Sequence, residues 1–276
     1  MAFAYHVELT NACDLTCSYC SLTTSKRAKG LMSAETFAKV VAHMRRLSPL
    51  NFLILHHFGE PLLHPELPRF VRMAADAELN PGFSTNGVQL TRARLDELVE
   101  AGLKFLCVTF HEERGRQTYE ELREHARSLD LAFWGRELTN GQKTHVREAM
   151  LTYGIERQVL HTFAGTVGEE IPREPGWRPP CDYLDRNFVC VLHDGRVVPC
   201  AMDERADNVL GTVDDLDAIQ QASSYDLCRS CQGFQFHEGW RKLMGRLLDE
   251  DRFRLDRSGW HPSLSVDDSP PPRLPR

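Results

Sequence analysis

Up to about residue 165 the apolar positions alternate between two periods, the two-residue repeat of a strand and the three-and-four spacing of an amphipathic helix. The strand-like stretches are 4–9, 51–58, 81–85, 103–110, 130–135 and 157–163. Helical stretches lie between them at 34–48, 65–78, 92–101, 116–129 and 142–153. Ser33 and Thr91 stand where an N-cap hydroxyl accepts from first-turn N–H groups. Gly102 stands where a helix should stop. Six βα units predict an α/β fold. They are too few to close an eight-stranded barrel.

The pattern breaks from Gly165 to Pro180, where Gly, Pro and charged residues give loop chemistry. A cysteine-rich segment at 181–231 follows, then a helical stretch at about 234–248, then a tail ending Ser-Pro-Pro-Pro-Arg-Leu-Pro-Arg that reads as extended. These breaks divide the chain into a core over 1–165, a linker and cysteine module with its closing helix over 166–248, and a tail over 249–276. No apolar run approaches the ~18 residues of a membrane span. The N-terminus has no basic region leading into an apolar core, so a secretory signal is not expected. Nine cysteines, an odd number, argue for metal ligation in a reducing compartment rather than a disulfide scaffold. A cytoplasmic protein is expected. The net charge of -6 disfavours nucleic acid as a partner and decides nothing else.

Three of the cysteines fall within eight residues, Cys13-Asp-Leu-Thr-Cys17-Ser-Tyr19-Cys20, directly after the first strand. Thiolates at this C-x3-C-x2-C spacing can hold three irons of a [4Fe-4S] cube and leave the fourth open. Structural zinc sites favour paired cysteines or mixed Cys/His sets, which the triplet fits poorly. A second set comprises Cys181, Cys200 and the pair Cys228 and Cys231. Gly195, in His-Asp-Gly-Arg, marks a hairpin between 187–192 and 196–199 that returns one cysteine towards another. Four thiolates so arranged suit a further [4Fe-4S] cluster or a four-cysteine zinc ribbon.

The triplet, with an aromatic just before its last cysteine, resembles the signature of the radical S-adenosylmethionine (SAM) superfamily. The runs Phe58-Gly59-Glu60-Pro61-Leu62-Leu63, Ser84-Thr85-Asn86-Gly87 and Val108-Thr109-Phe110-His111 are similar to those of its twitch subgroup. So are Val198-Pro199-Cys200 and Asp226-Leu227-Cys228. That subgroup carries a shortened SPASM domain and includes aminoglycoside-tailoring dehydrogenases and epimerases. The resemblance covers nearly the whole chain. It implies an open, partial (β/α)6 barrel with its chemistry at the C-terminal strand ends, followed by a small twitch domain. It also implies two [4Fe-4S] clusters, one on Cys13, Cys17 and Cys20, the other on Cys181, Cys200, Cys228 and Cys231. SAM would chelate the open iron of the first and be cleaved to a 5′-deoxyadenosyl radical. Gly59, Glu60 and Pro61 would present backbone and carboxylate to the SAM amino group. Ser84 and Asn86 would touch its carboxylate or ribose, and Tyr19 would lie against the adenine. The implied partners are a small-molecule aminoglycoside or sugar substrate and an electron donor such as flavodoxin or ferredoxin.

Two cysteines are left over. Cys107, mid-strand in an apolar run, reads as core. Cys190 lies on the hairpin and is either core or a hydrogen-atom donor, because an S–H bond is weaker than a carbinol C–H bond. A thiol on the far face of a carbon radical would quench it with inversion. A dehydrogenase needs instead a base for the hydroxyl proton and an acceptor for the last electron. The stretch 161–165 lacks the Arg that the resemblance leads one to expect after the sixth strand. The spare thiol and missing base give the expectation of an epimerase acting on an aminoglycoside or aminocyclitol carbinol. Oxidation of the same carbinol to a ketone is the alternative. His56 and His57 end strand 2, and His111, Glu112 and Glu113 end strand 4, at the mouth of such a barrel. Alternation admits only one of the first pair, so His57, His111 and Glu112 are the expected substrate contacts. The charged helix at 114–127 reads as a solvated face, and Phe133 with Trp134 as core.

Overall fold

The computed structural model describes residues 2–47, 52–139, 153–159, 164 and 181–231. Strands β1 (Phe3–Val7), β2 (Phe52–Ile54), β3 (Asn80–Thr85), β4 (Phe105–Phe110), β5 (Ala132–Thr139) and β6 (Ile155–Val159) lie side by side and parallel. Helices α1 (Ala34–Leu47), α2 (Leu67–Asp76), α3 (Arg92–Glu100) and α4 (Glu113–Ser128) connect the first five of them. Local chemistry sets the helix ends. Ser33 Oγ accepts from Thr36 N at 3.0 Å and Thr91 Oγ1 from Arg94 N at 3.2 Å. Gly102, at φ +101, turns the chain out of α3.

Two boundaries depart from the periodic reading. β2 ends at Ile54, well short of residue 58, because the chain there turns into the loop that carries Gly59 at φ +82. β5 runs past 135 to Thr139, because β6 pairs with it from Gly135 to Thr139. The helices expected at 142–153 and 234–248, except for residue 153, and the tail lie outside the described residues.

The helices cover one face of the sheet. Their apolar stripes, with Phe37, Val40, Phe70, Leu95, Leu98, Tyr119 and Leu122, pack on Val7, Leu53, Phe83, Leu106 and Phe133. Phe37 and Phe70 stack with centroids 4.6 Å apart. Alternate strand residues pack together on the opposite, inner face: Tyr5, Ile54, Phe105, Cys107, Ala132 and Trp134.

The C-terminal hairpin joins this same sheet. β7 (Phe188–Val191) runs parallel to β1, from Phe3 opposite Phe188 to Val7 opposite Val191, with the register shifting by one residue between Ala4 and His6. β8 (Arg196–Val198) and β9 (Gly211–Thr212) follow antiparallel, giving the order β6-β5-β4-β3-β2-β1-β7-β8-β9. The cysteine module therefore extends the sheet of the core. Among the described residues no helix is long and apolar enough to cross a membrane.

Candidate active site

The cysteine triplet sits on a loop that is pinned at its base. Thr10 Oγ1 donates to Gly30 O at 2.8 Å, Asn11 Nδ2 donates to Ala28 O at 2.9 Å, and Asn11 Oδ1 accepts from Gly30 N at 2.9 Å. Cys13, Cys17 and Cys20 are all partly exposed on this loop. Burial pushes the Cys13 thiol up to about 11, so iron must displace a proton to bind there. No three His, Cys, Asp or Glu side chains among the described residues converge as a single bound ion would require. A cube asks for less, one thiolate at each of three corners. Three thiols on one pinned loop fit that demand.

The Gly59-Glu60-Pro61 turn packs directly on the loop. A Cβ on Gly59 would stand 2.3 Å from Thr10 O, so only glycine fits. Glu60 N donates to Ala12 O at 2.8 Å. The Glu60 carboxylate is buried and turned into the chain. It accepts from Leu62 N at 3.0 Å, Thr85 Oγ1 at 2.8 Å and Asn86 N at 2.8 Å. Burial pushes it up to about 7 against the pull of those donors. Both oxygens brace the loops after β2 and β3, so the carboxylate expected to meet the SAM amino group is committed within the chain. Pro61 starts a buried single turn, Pro61–Leu63. Asn86 is also committed within the chain. Its Nδ2 donates to Asp14 Oδ1 at 2.7 Å and its Oδ1 accepts from Val88 N at 2.8 Å, tying β3 to the cysteine loop. Tyr19 stacks on His111 with centroids 5.9 Å apart, and its hydroxyl lies 2.8 Å from His111 Nδ1.

The histidines sort differently from the alternation argument, which fails because β2 has already ended. His57 is buried, its Nε2 donating to Ala201 O at 3.2 Å and its Nδ1 3.4 Å from Glu8 Oε2. It is a packing link, which corrects its placement as a substrate contact. Glu112 is exposed just before α4. The residue that sequence reasoning missed is Arg136. The strand there was expected to stop at 135, yet Ala132, Trp134 and Arg136 alternate onto the inner face. Arg136 Nε donates to Glu156 Oε2 at 3.3 Å, Trp134 Nε1 donates to the same oxygen at 2.9 Å, and Arg136 Nη1 lies 3.5 Å from Ser84 Oγ. Burial and the nearby Arg136 cation hold His111 down to about 4. Burial, His57, Arg136 and His111 hold His56 down to about 3. His6 is lowered well below its ordinary value, chiefly by burial.

A buried charge cluster joins this region to the hairpin. Arg27 grips Glu8 through Nη1 at 2.8 Å and Nη2 at 2.6 Å, and His193 Nδ1 lies 2.9 Å from Glu8 Oε1. Burial alone would raise Glu8, but Arg27, His193 and His57 hold it well below the usual carboxylate range. Arg27 Nε stands 3.5 Å from Glu204 Oε1, and Glu204 is 0% exposed. These residues come from the segment just after β1, the cysteine loop, the hairpin turn and the segment after Cys200. No sequence spacing announces them.

The second cysteine set comes from three segments of the C-terminal module. Cys181 precedes the helical turn Asp182–Asp185, Cys200 follows β8, Cys228 lies within the turn Asp226–Ser230 and Cys231 caps its end. Cys181 and Cys231 both lie near enough to Cys200 to push its thiol upward, after burial and Cys190. Cys190 is 0% exposed, with Sγ 3.8 Å from His6 Nδ1 and 4.0 Å from Tyr183 Oη. Cys107 is buried among apolar side chains, as core.

Residues 7–124 match the model of the radical SAM superfamily. The chain belongs to that superfamily, and membership carries SAM and a [4Fe-4S] cluster with it. It is 35% identical over 216 residues to the S-adenosyl-L-methionine-dependent 2-deoxy-scyllo-inosamine dehydrogenase of Niallia circulans, covering 75% of this chain and 76% of that protein. It is 33% identical over 141 residues to the PqqA peptide cyclase of Rhodopseudomonas palustris, covering 48% of this chain and only 36% of that enzyme. The crystal structure of BtrN in complex with AdoMet and 2-DOIA matches with a TM-score of 0.63 at 24% identity, over 84% of this chain and 93% of that one. That likeness gives the fold, a radical SAM α/β fold built on a parallel sheet.

Proposed function

We propose that the protein is a radical SAM dehydrogenase that oxidises a carbinol of an aminocyclitol or related amino sugar to a ketone. The observation that carries this reading is the 35% identity to the 2-deoxy-scyllo-inosamine dehydrogenase across 76% of that enzyme. When bound, SAM and its cluster supply one-electron chemistry strong enough to take a hydrogen atom from a carbinol C–H bond. In this reading Cys13, Cys17 and Cys20 hold that cluster, and Cys181, Cys200, Cys228 and Cys231 hold a second that accepts the last electron. A flavodoxin or ferredoxin would supply the electron for SAM cleavage.

The residues of the inner face support oxidation over the epimerisation expected from sequence. A hydrogen donor must touch the carbon it quenches, and Cys190 is enclosed beneath Tyr183 and His6. The test is incubation of the reconstituted, anaerobically reduced enzyme with 2-deoxy-scyllo-inosamine and other aminocyclitols in deuterated water. A product lighter by about two mass units is expected from loss of two hydrogens, with about eight irons bound if each cysteine set holds a cube. An isomer of the substrate carrying solvent deuterium would make the enzyme an epimerase.

A further inference from the structure

Each cysteine set has one member from which a short, internally bonded turn leads to a buried charge, and the two charges meet. The Cys20 carbonyl accepts from Thr23 N at 3.1 Å and from Thr23 Oγ1 at 2.7 Å. Thr24 Oγ1 then donates to Ser21 O at 3.0 Å, and Arg27 N donates to Ser25 Oγ at 3.3 Å. The Cys200 carbonyl likewise accepts from Asp203 N at 3.2 Å. The buried Asp203 carboxylate holds Asp207 N at 3.0 Å and Asn208 N at 2.9 Å. Arg27 ends the first turn and Glu204 lies inside the second. Both Nη atoms of Arg27 are spent on Glu8, which leaves Nε facing Glu204 Oε1 at 3.5 Å, with the two side chains 5% and 0% exposed. Among the described residues that Nε and both Glu204 oxygens have no hydrogen-bond partner. Buried polar atoms left in this way are costly. Shortening the contact by about half an ångström would pair them.

We infer that Arg27 and Glu204 form a bridge that couples the two cysteine sets, so that metal bound at one set slows the loss of metal from the other. This rests on the reading in which both sets hold a cluster. The two residues act by position, and neither supplies a ligand. Metal fixes Cys20 and Cys200, and through the bonded turns it fixes the two charges as well. A charge pair held out of water is sensitive to its spacing, because its attraction is little screened there. Ordering one end therefore removes freedom that the other end would otherwise have to lose. The coupling must run equally in both directions. His57 bonded to Ala201 O and His193 close to Glu8 steady the same segments, but neither joins one turn directly to the other. For the proposed reaction the consequence is a fixed spacing between the cluster that starts the chemistry and the one that accepts the last electron.

The test uses the full chain, reconstituted anaerobically with iron and sulfide. Only the first cluster has an open iron, so the part of the reduced protein's electron paramagnetic resonance signal that shifts on adding SAM reports that cluster alone. Its loss to excess iron chelator is followed in the wild type and after Cys228→Ser with Cys231→Ser, which breaks the second set. Breaking the second set should speed the loss about fivefold or more. In Glu204→Gln, which keeps the shape and removes the charge, the same break should change the rate less than about twofold, as for independent sites. Arg27→Lys keeps a cation for Glu8 but lacks Nε. It should behave as Glu204→Gln does, and it decides the matter if that variant does not fold. A purely structural Glu204 would shift both rates together and leave their ratio at the wild-type value, which overturns the bridge. A wild-type rate that ignores the break overturns it too. About four irons and no other metal in the wild type would sink the two-cluster reading and the inference with it. About eight irons with an unchanged ratio would sink the bridge alone. If zinc fills the second set, the cluster reading fails there while the same ratio still decides the bridge.

Discussion

The two faces of the sheet are made from the same strands and do different work. On the helix-covered face hydrocarbon continues along the whole strand, from Phe37 on Phe70 to Tyr119 on Phe133. The inner face begins in the same way, with Ile54, Phe105 and Trp134, then changes character towards the C-terminal strand ends, where His6, Ser84, Arg136 and Glu156 appear. β5 shows how little separates the two: Phe133 points to the helices, while Trp134 and Arg136 point inward. One face holds the fold and the other is free to carry charge.

That division can be broken at several points. The largest effects should come from one deletion on each side. Phe70→Ala should cost about 3–5 kcal/mol in urea denaturation and leave SAM cleavage per folded molecule intact. Arg27→Met should cost a similar amount, about 3–5 kcal/mol, because it strands the buried Glu8 and Glu204. It should also lower iron content, since it loosens the cysteine loop. Equal iron loss in both variants would mean that the faces are not separable.

An intermediate effect should appear on acidification. The His56 and His111 rings, held near 3 and 4 against an ordinary 6.5, are neutral in the folded protein. Between pH 6.5 and about 4 the unfolded chain therefore binds more protons. The stability these rings contribute is present above pH 6.5 and is lost as pH falls, by roughly 3 kcal/mol for each ring. Arg136→Met should flatten this acid slope, and an unchanged slope would detach Arg136 from the two imidazoles. The smallest effect should be that of Cys190→Ala, about 1 kcal/mol of stability with the product unchanged. A change from epimer to ketone in that variant would return Cys190 to the chemistry.

The fold was largely legible because period and caps are local. The strands around Phe83 and Leu106 and the helix after Ser33 follow from spacing within ten or so residues. The cysteine triplet was legible for the same reason, with all three thiols on one loop. What escaped is long-range. The pairing of β7 with β1 joins residues 3 and 188. Arg136 gains meaning only when β3 and β6 bring Ser84 and Glu156 to it. The Glu8, Arg27, His193 and Glu204 cluster draws on four distant segments. Glu60 was misread in a subtler way. Its place in the motif was visible, but the three donors around its carboxylate belong to the folded turn.

The place of β7 has a consequence for how the protein comes to exist. β1 leaves the ribosome first, yet the strand that covers its free edge is synthesised some 180 residues later. At ordinary elongation rates of about 5–20 residues per second, that edge waits roughly 10–40 s with its backbone N–H and C=O groups unpaired. Such an edge recruits other strands. A nascent chain interrupted before residue 188 would carry a nearly finished core with one adhesive border. Yield in a living cell should therefore depend on translation speed through 160–190 more than on the stability of the finished fold.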